Sequence, residues 1–267
     1  MYNMTFVQKL QKACRKNNSL LCVGLDPDPA KMPAGQDTAS FCKAIIKATS
    51  AYVCAYKPNL AFFEALGDNG ITILKDVLKS IPEYIVTIAD AKRGDIGNTA
   101  TAYAKALYDD LGFDCVTLSP YMGYDSIEPF IKYHNKGVFL LCRTSNSGAA
   151  DFQQLKIQDG RFLYEVVAQK ASEWNTAGNI GLVVGATAPD ELKIIRNMCS
   201  DMILLVPGVG AQGGDIEKTV RMAIDKNSQG VVINSSRQII YASKEENFAQ
   251  KAAMAAKALR DEINQYR

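Results

Sequence analysis

Short apolar runs rich in Val, Ile and Leu recur eight times along the chain, and helical periodicity follows each of them. Runs this short and uniformly apolar read as strands buried on both faces, the condition of a parallel sheet covered by helices. The predicted strands are residues 20–25, 52–56, 85–89, 115–118, 137–142, 180–184, 202–206 and 230–233. The spacing predicts helices over 38–50, 60–80, 96–111, 128–135, 161–177 and 215–225. Pro189 opens another at a favoured first-turn position. A helix over 5–16, capped by Thr5, precedes the series, and an Ala-rich helix over 245–265 closes it. Eight such units in 267 residues, with no linker between halves, predict an α/β fold: one (β/α)8 TIM barrel domain over residues 1–267. A doubly wound open sheet is the runner-up, but it more often shows fewer strands or a second domain.

Composition narrows the partners and the chemistry. A net charge of +2 gives no electrostatic reason to expect nucleic acid or an anionic membrane. Seven cysteines are scattered without a C-x-x-C pair, which predicts reduced thiols in a reducing compartment. The start, M-Y-N-M-T-F-V-Q-K-L, has no apolar signal core, and no apolar run reaches the length of a membrane span. A cytoplasmic location is expected. The single histidine, His134, lies in the polar stretch K-Y-H-N-K-G. Serine-hydrolase triads and His-rich metal sites are therefore not expected, and the chemistry falls to Asp, Lys, Arg, Ser and the backbone.

Barrel active sites lie at the carboxyl ends of the strands. Those ends carry Asp26, Lys57, Asp90, Lys92, Asp95, Ser119, Ser145, Gln212 and Arg237. The densest is I-V-T-I-A-D-A-K-R-G-D-I-G-N-T, residues 85–99, where Asp90 and Lys92 share a face by strand alternation. Gly94 lets the chain turn. Asp95 then stands where a helix begins, because Ile96, Ala100, Tyr103, Leu107 and Leu111 recur at helical spacing. Singly, Asp95 reads as an N-cap and Asp90–Lys92 as a surface ion pair. Together they read as a catalytic cluster, in which a lysine held between carboxylates stays protonated and ready to donate.

The last two units carry a different chemistry. P-G-V-G-A-Q-G-G-D, ahead of a helix beginning near Asp215, offers backbone N–H groups and a helix N-terminus to an anion. Arg237 adds a fork-shaped cation after the eighth strand, and barrels recurrently bind phosphate there. Ser145, in R-T-S-N-S-G, is either a turn residue or one that orients a polar ring; Ser119-Pro120 reads as structural.

Asp90-x-Lys92-x-x-Asp95-Ile96 followed by Thr99 resembles the signature of the orotidine 5′-phosphate decarboxylase family. V-G-L-D-P-D around Asp26, Y-K-P-N around Lys57, P-G-V-G-A-Q-G-G-D and N-S-S-R resemble the same family in its order, so the resemblance covers almost the whole chain. The stretches around 120–135 and 145–178 resemble its longer bacterial branch. The resemblance implies conversion of orotidine 5′-monophosphate to uridine 5′-monophosphate and carbon dioxide in pyrimidine biosynthesis. It implies Lys92 as proton donor to C6, with Asp90 beside the departing carboxylate. Asp26 and Lys57 would hold ribose hydroxyls, with Lys57 also linking the charged network. Ser145 would bond the pyrimidine amide edge, while Gln212 and Arg237 would hold the 5′-phosphate. Asp95, and with it Thr99 at the ribose, would come from the other subunit of a homodimer.

Some relatives place an aromatic hydroxyl near the phosphate shortly after the glutamine; Gly213 and Gly214 stand there in this chain. Decarboxylation that leaves charge on a ring carbon outside any π-system implies neither pyridoxal nor thiamine, and no cofactor or metal is expected. The implied partners are a nucleotide and a second copy, with no nucleic acid and no membrane. Related sugar-phosphate decarboxylases and aldolases share the Asp-x-Lys-x-x-Asp strand end, but with magnesium and a different acidic set. Ile96-Gly97-Asn98-Thr99 and the pairing of Asp26 with Lys57 argue against them. A non-catalytic phosphate-ligand binder would have no reason to carry the charged cluster.

Overall fold

Thr5 caps the first helix, α1 (Phe6–Asn17), in a reciprocal box with Gln8, and Phe6, Leu10 and Cys14 turn inward as their spacing requires. The computed structural model describes residues 4–209 and 214–267. From α1 the chain runs through β1 (Leu21–Leu25), α2 (Thr38–Thr49), β2 (Ala55–Pro58), α3 (Leu60–Glu64), α4 (Gly70–Lys79) and β3 (Val86–Arg93). Then follow α5 (Gly97–Lys105), β4 (Cys115–Leu118), α6 (Glu128–Ile131), β5 (Gly137–Arg143), α7 (Leu163–Trp174) and β6 (Ile180–Val184). The last third holds α8 (Pro189–Met198), β7 (Leu204–Pro207), α9 (Ile216–Ala223), β8 (Val231–Ser235), α10 (Arg237–Ile240) and α11 (Phe248–Gln265).

The eight strands pair in parallel in chain order, and β8 closes on β1 through Leu21↔Ile233 and Cys22↔Asn234. The expected (β/α)8 barrel is therefore the fold. Complete burial of β1, β2, β4, β6 and β8 fits helices on one face and a packed barrel interior on the other. At the amino end, Phe6 of α1 meets Phe139 of β5 edge to face, with centroids 5.9 Å apart. Arg196 staples the same end. Its Nε donates to Ala223 O at 2.8 Å, Nη1 to Met202 O at 2.8 Å and Nη2 to Gly230 O at 2.7 Å. All seven cysteines are free and buried. Among the described residues no helix is long and apolar enough to cross a membrane.

Several boundaries differ from the sequence expectation. The second strand is not 52–56: Ser50–Tyr52 forms a 3-10 turn, and β2 starts at Ala55, opposite Cys22. Pairing with β1 therefore carries the strand three positions later, through Lys57. The helix expected over 60–80 is broken, because Gly67 adopts φ +66. Gly70 then lies so close to Phe63 that an added Cβ would come within 1.9 Å of its carbonyl oxygen. The third strand continues to Arg93 because its register against β4 shifts between Ala89 and Arg93. The helix expected over 96–111 starts at Gly97 and widens into a π turn over Ala106–Asp110. That over 128–135 shortens to α6.

Candidate active site

The extra length of β3 is what builds the site. Where the register slips, Thr117 of β4 takes over the pairing: its Oγ1 accepts N–H bonds from Ala91 and Lys92, each at 3.0 Å. The same hydroxyl lies 3.3 Å from Asp90 Oδ1 and can donate to it. Lys92 is held at φ 46, a left-handed conformation that costs a non-glycine residue roughly 1–2 kcal/mol. Such strain persists only where the surroundings over-determine it, and the two bonds to Thr117 do so here. Thr117 escaped the sequence reading; its one signal is a polar residue inside the apolar strand C-V-T-L.

Asp90 stands between two ammonium groups. Its Oδ2 accepts from Lys57 Nζ at 2.6 Å, and its Oδ1 pairs with Lys92 Nζ. The three side chains differ in environment: Lys57 is 7% exposed, Asp90 11% and Lys92 52%. Burial by itself pushes the Asp90 carboxyl up, but Lys57 and Lys92 outweigh it and hold the pKa at about 2. Burial likewise disfavours the Lys57 charge, and Asp90 followed by Asp26 reverses this, so its pKa is raised. The cluster is thus an ordered row of charges, one lysine sealed inside the barrel and the other at its mouth. Asp90 and Lys92 do not form a lone surface pair.

Two cavities meet at this row. The larger, about 450 Å³, is lined by Lys57, Asp90, Lys92, Thr117, Ser145 and Phe152 among others. The smaller, about 180 Å³, lies between Asp26, Lys57 and Asp90 on one side and Gly208, Asn234 and Arg237 on the other. The structure therefore brings together Asp26, Lys57, Asp90, Lys92, Ser145 and Arg237. Tyr241, just beyond α10, fixes the Asp26 loop: its hydroxyl donates to Asp26 O at 2.7 Å and accepts from Asp28 N at 2.6 Å.

Ser145 is placed by its neighbours. Thr144 N donates to Gln153 Oε1 at 2.8 Å, and Gln153 Nε2 donates back to Thr144 Oγ1 at 2.8 Å. Arg143 Nε donates to Glu191 of α8 at 2.6 Å, which ties the same loop to the next unit. Phe152 and Gln153, from the insertion after β5, line the larger cavity and were not singled out from sequence. Nothing in their local pattern distinguishes them from an ordinary surface loop.

Asp95 and Thr99 lie apart from the rest, for neither lines either cavity of its own chain. Asp95 Oδ1 accepts from Ile96 N at 2.8 Å, and the residue capping α5 is Ile96, so the N-cap reading of Asp95 does not hold. Ile96 itself is 48% exposed. Gln212 lies outside the described residues. Asp215, just after that loop, caps α9 by accepting from Lys218 N at 2.9 Å. Ser119 is structural, its N–H bonded to Arg93 O at 2.7 Å. Among the described residues no group of three His, Cys, Asp or Glu side chains is arranged to hold a metal ion.

Residues 19–252 match the family model described as "Orotidine 5′-phosphate decarboxylase / HUMPS family". A curated orotidine 5′-phosphate decarboxylase of Dehalococcoides mccartyi is 56% identical over 267 residues, covering 99% of each chain. That of Roseiflexus castenholzii is 51% identical, covering 98% of each. Among solved structures, the OMP decarboxylase of Leishmania donovani superposes with a TM-score of 0.89 at 42% identity. It covers 98% of this chain and 99% of the other.

Proposed function

The chain belongs to the orotidine 5′-phosphate decarboxylase / HUMPS family and decarboxylates orotidine 5′-phosphate, and we propose that Lys92 is the proton donor of that reaction. The observation that carries this reading is the row Lys57–Asp90–Lys92 across the floor of a nucleotide-sized cavity, with its outer lysine half exposed. Breaking the bond between C6 and the carboxylate carbon releases carbon dioxide and leaves the electron pair on C6. Lys92 Nζ stabilises that charge as it grows and passes one N–H proton to C6, giving uridine 5′-monophosphate and a neutral amine that solvent reprotonates. A cation fixed before the reaction needs no reorganisation when charge develops, so it favours the transition state over the ground state. Asp90 holds Lys92 in place and faces the departing carboxylate; Lys57 keeps Asp90 ionised.

Binding is assigned around this row. Asp26 and Lys57 take the ribose hydroxyls, Ser145 the pyrimidine amide edge, and Arg237 with Gln212 the 5′-phosphate. Binding energy gathered at the remote phosphate is then available to position the ring. Asp95 and Thr99 are assigned to the site of a second copy in a homodimer. This is supported by their absence from the cavities of their own chain and by the exposed Ile96 beside them. We place the enzyme in the cytoplasm, with residues 1–267 acting as one barrel domain.

One assay tests the reading. Wild-type protein should consume orotidine 5′-monophosphate, followed by its absorbance, at the same rate with and without a chelator. Lys92→Ala should abolish turnover while remaining folded and retaining nucleotide affinity. Near-normal turnover in Lys92→Ala removes the proton-donor role. A rate that collapses on chelation favours the magnesium-dependent sugar-phosphate chemistry of the related barrels.

A further inference from the structure

The smaller cavity has one wall that the assignments above leave unused. Asn234, near the carboxyl end of β8, is paired with Cys22 on β1 and Pro207 on β7, and it is 7% exposed. Its Oδ1 is fully buried and has no hydrogen-bond partner among the described residues. Asp26, which lines the same cavity, has its Oδ1 in the same condition. A buried polar atom left unpaired costs about 1–3 kcal/mol, so such atoms are rare in native proteins and cluster where a ligand or water completes them.

The backbone makes room for this amide. Gly24 on β1 faces it, and a Cβ there would lie 3.4 Å from Asn234 Oδ1 and 2.8 Å from Ser236 Cβ. A Cβ at position 24 would clash with Ser236 at the entrance to α10 and stand in ordinary contact with the carboxamide. The chemistry of the unpaired groups is also selective. Asn234 Oδ1 and Asp26 Oδ1 are both acceptors, and the Lys57 ammonium beside them is a donor. A hydroxyl can donate its one proton to either acceptor while accepting from the lysine, so the two acceptors call for two such donors. Arg237 at the far end of the same cavity supplies a cation for a phosphate attached nearby.

We propose that Asn234 is a further substrate-binding residue, its Oδ1 accepting a hydrogen bond from a hydroxyl of the ribose 5′-phosphate. The proposal rests on the decarboxylase reading, because that reading supplies the ribosyl phosphate. Asn234→Leu removes the polar atoms at nearly constant volume. Its affinity for uridine 5′-monophosphate should fall about three- to tenfold, the worth of one neutral hydrogen bond. Against the 2′-deoxy or the 3′-deoxy nucleotide, the difference between wild type and variant should vanish for whichever analogue lacks the bonded hydroxyl. The melting temperature of the variant should stay level or rise, because an unpaired buried atom has gone. Unchanged affinity, or an equal loss for all three nucleotides, overturns the assignment. Asn234→Ala gives the same comparison should leucine overpack the wall; collapse of both variants marks Asn234 as structural and also overturns it. Wild type that fails to decarboxylate orotidine 5′-monophosphate would instead overturn the reading beneath, whatever the variants do.

Discussion

Asp90→Asn separates two accounts of the charged row, because it removes one charge and leaves the shape. If Asp90 is chiefly a clamp for the lysines, the variant is less stable; if it is a strained member of a carboxylate cluster, the variant is more stable. The pairing in the structure decides for the clamp: Asp90 meets Lys57 at 2.6 Å and also meets Lys92, and both it and Lys57 are almost wholly enclosed. Its pKa of about 2, against an ordinary 3.8, corresponds to about 2 kcal/mol of stabilisation at neutral pH. Breaking a buried pair outright typically costs about 3–5 kcal/mol, but Asp26 also supports the Lys57 charge, so the lower end applies. A loss of about 2–3 kcal/mol lowers the melting temperature of a chain this size by roughly 5–10 °C. Because the folded pKa is depressed, the stabilisation is complete above the unfolded value near 3.8 and disappears as pH falls through about 2. Calorimetric melts of ligand-free wild type and Asp90→Asn from pH 7 down to pH 3 should therefore show a gap that narrows below about pH 4. A variant that melts at or above wild type at pH 7 refutes the clamp. So does a gap that stays constant down to pH 3.

Two further expectations concern the ends of the nucleotide and the second subunit. Arg237→Ala should weaken uridine 5′-monophosphate about ten- to hundredfold, the loss of a charged hydrogen bond. It should leave uridine nearly untouched; equal losses would show that Arg237 does not hold the phosphate. Mixing Lys92→Ala with Asp95→Ala chains under exchange should restore at most about half the activity per mixed dimer, since two-fold symmetry leaves one site with neither defect. Titration calorimetry and a turnover assay on the mixture check these, and a mixture that stays inactive returns Asp95 to its own chain.

The barrel was legible because its strands are buried on both faces and so read as bare apolar runs, punctuated by polar residues at one end. The placement of Asp26, Lys57, Asp90, Lys92 and Arg237 followed from that punctuation alone. What the sequence obscured were features fixed by pairing between distant strands. β2 begins three residues later than its apolar character suggests, because Cys22 selects Ala55 as its partner. The slip that carries β3 to Arg93 depends on Thr117, twenty-five residues beyond Lys92, and no local pattern announces it. Gly67 punctuates the 60–80 stretch visibly, yet the helical spacing on either side of it masks the break. Asn234 stood in a motif already singled out, N-S-S-R, but its unpaired amide becomes apparent only when Gly24 is brought beside it.

The seam between β1 and β8 bears on how the enzyme comes into being during synthesis. Asp26 leaves the ribosome almost first and Arg237 almost last, yet they border one cavity. Tyr241, later still, is what ties down the loop after β1. Every member of the charged row is made by the time the third strand is complete, but the wall carrying Asn234 and Arg237 does not exist until the eighth strand has closed on the first. A growing chain therefore gains nothing from a ligand of the smaller cavity, because a ligand stabilises only the state that binds it. A chain halted between the third strand and Arg237 carries the whole charged row but lacks the wall that closes the smaller cavity.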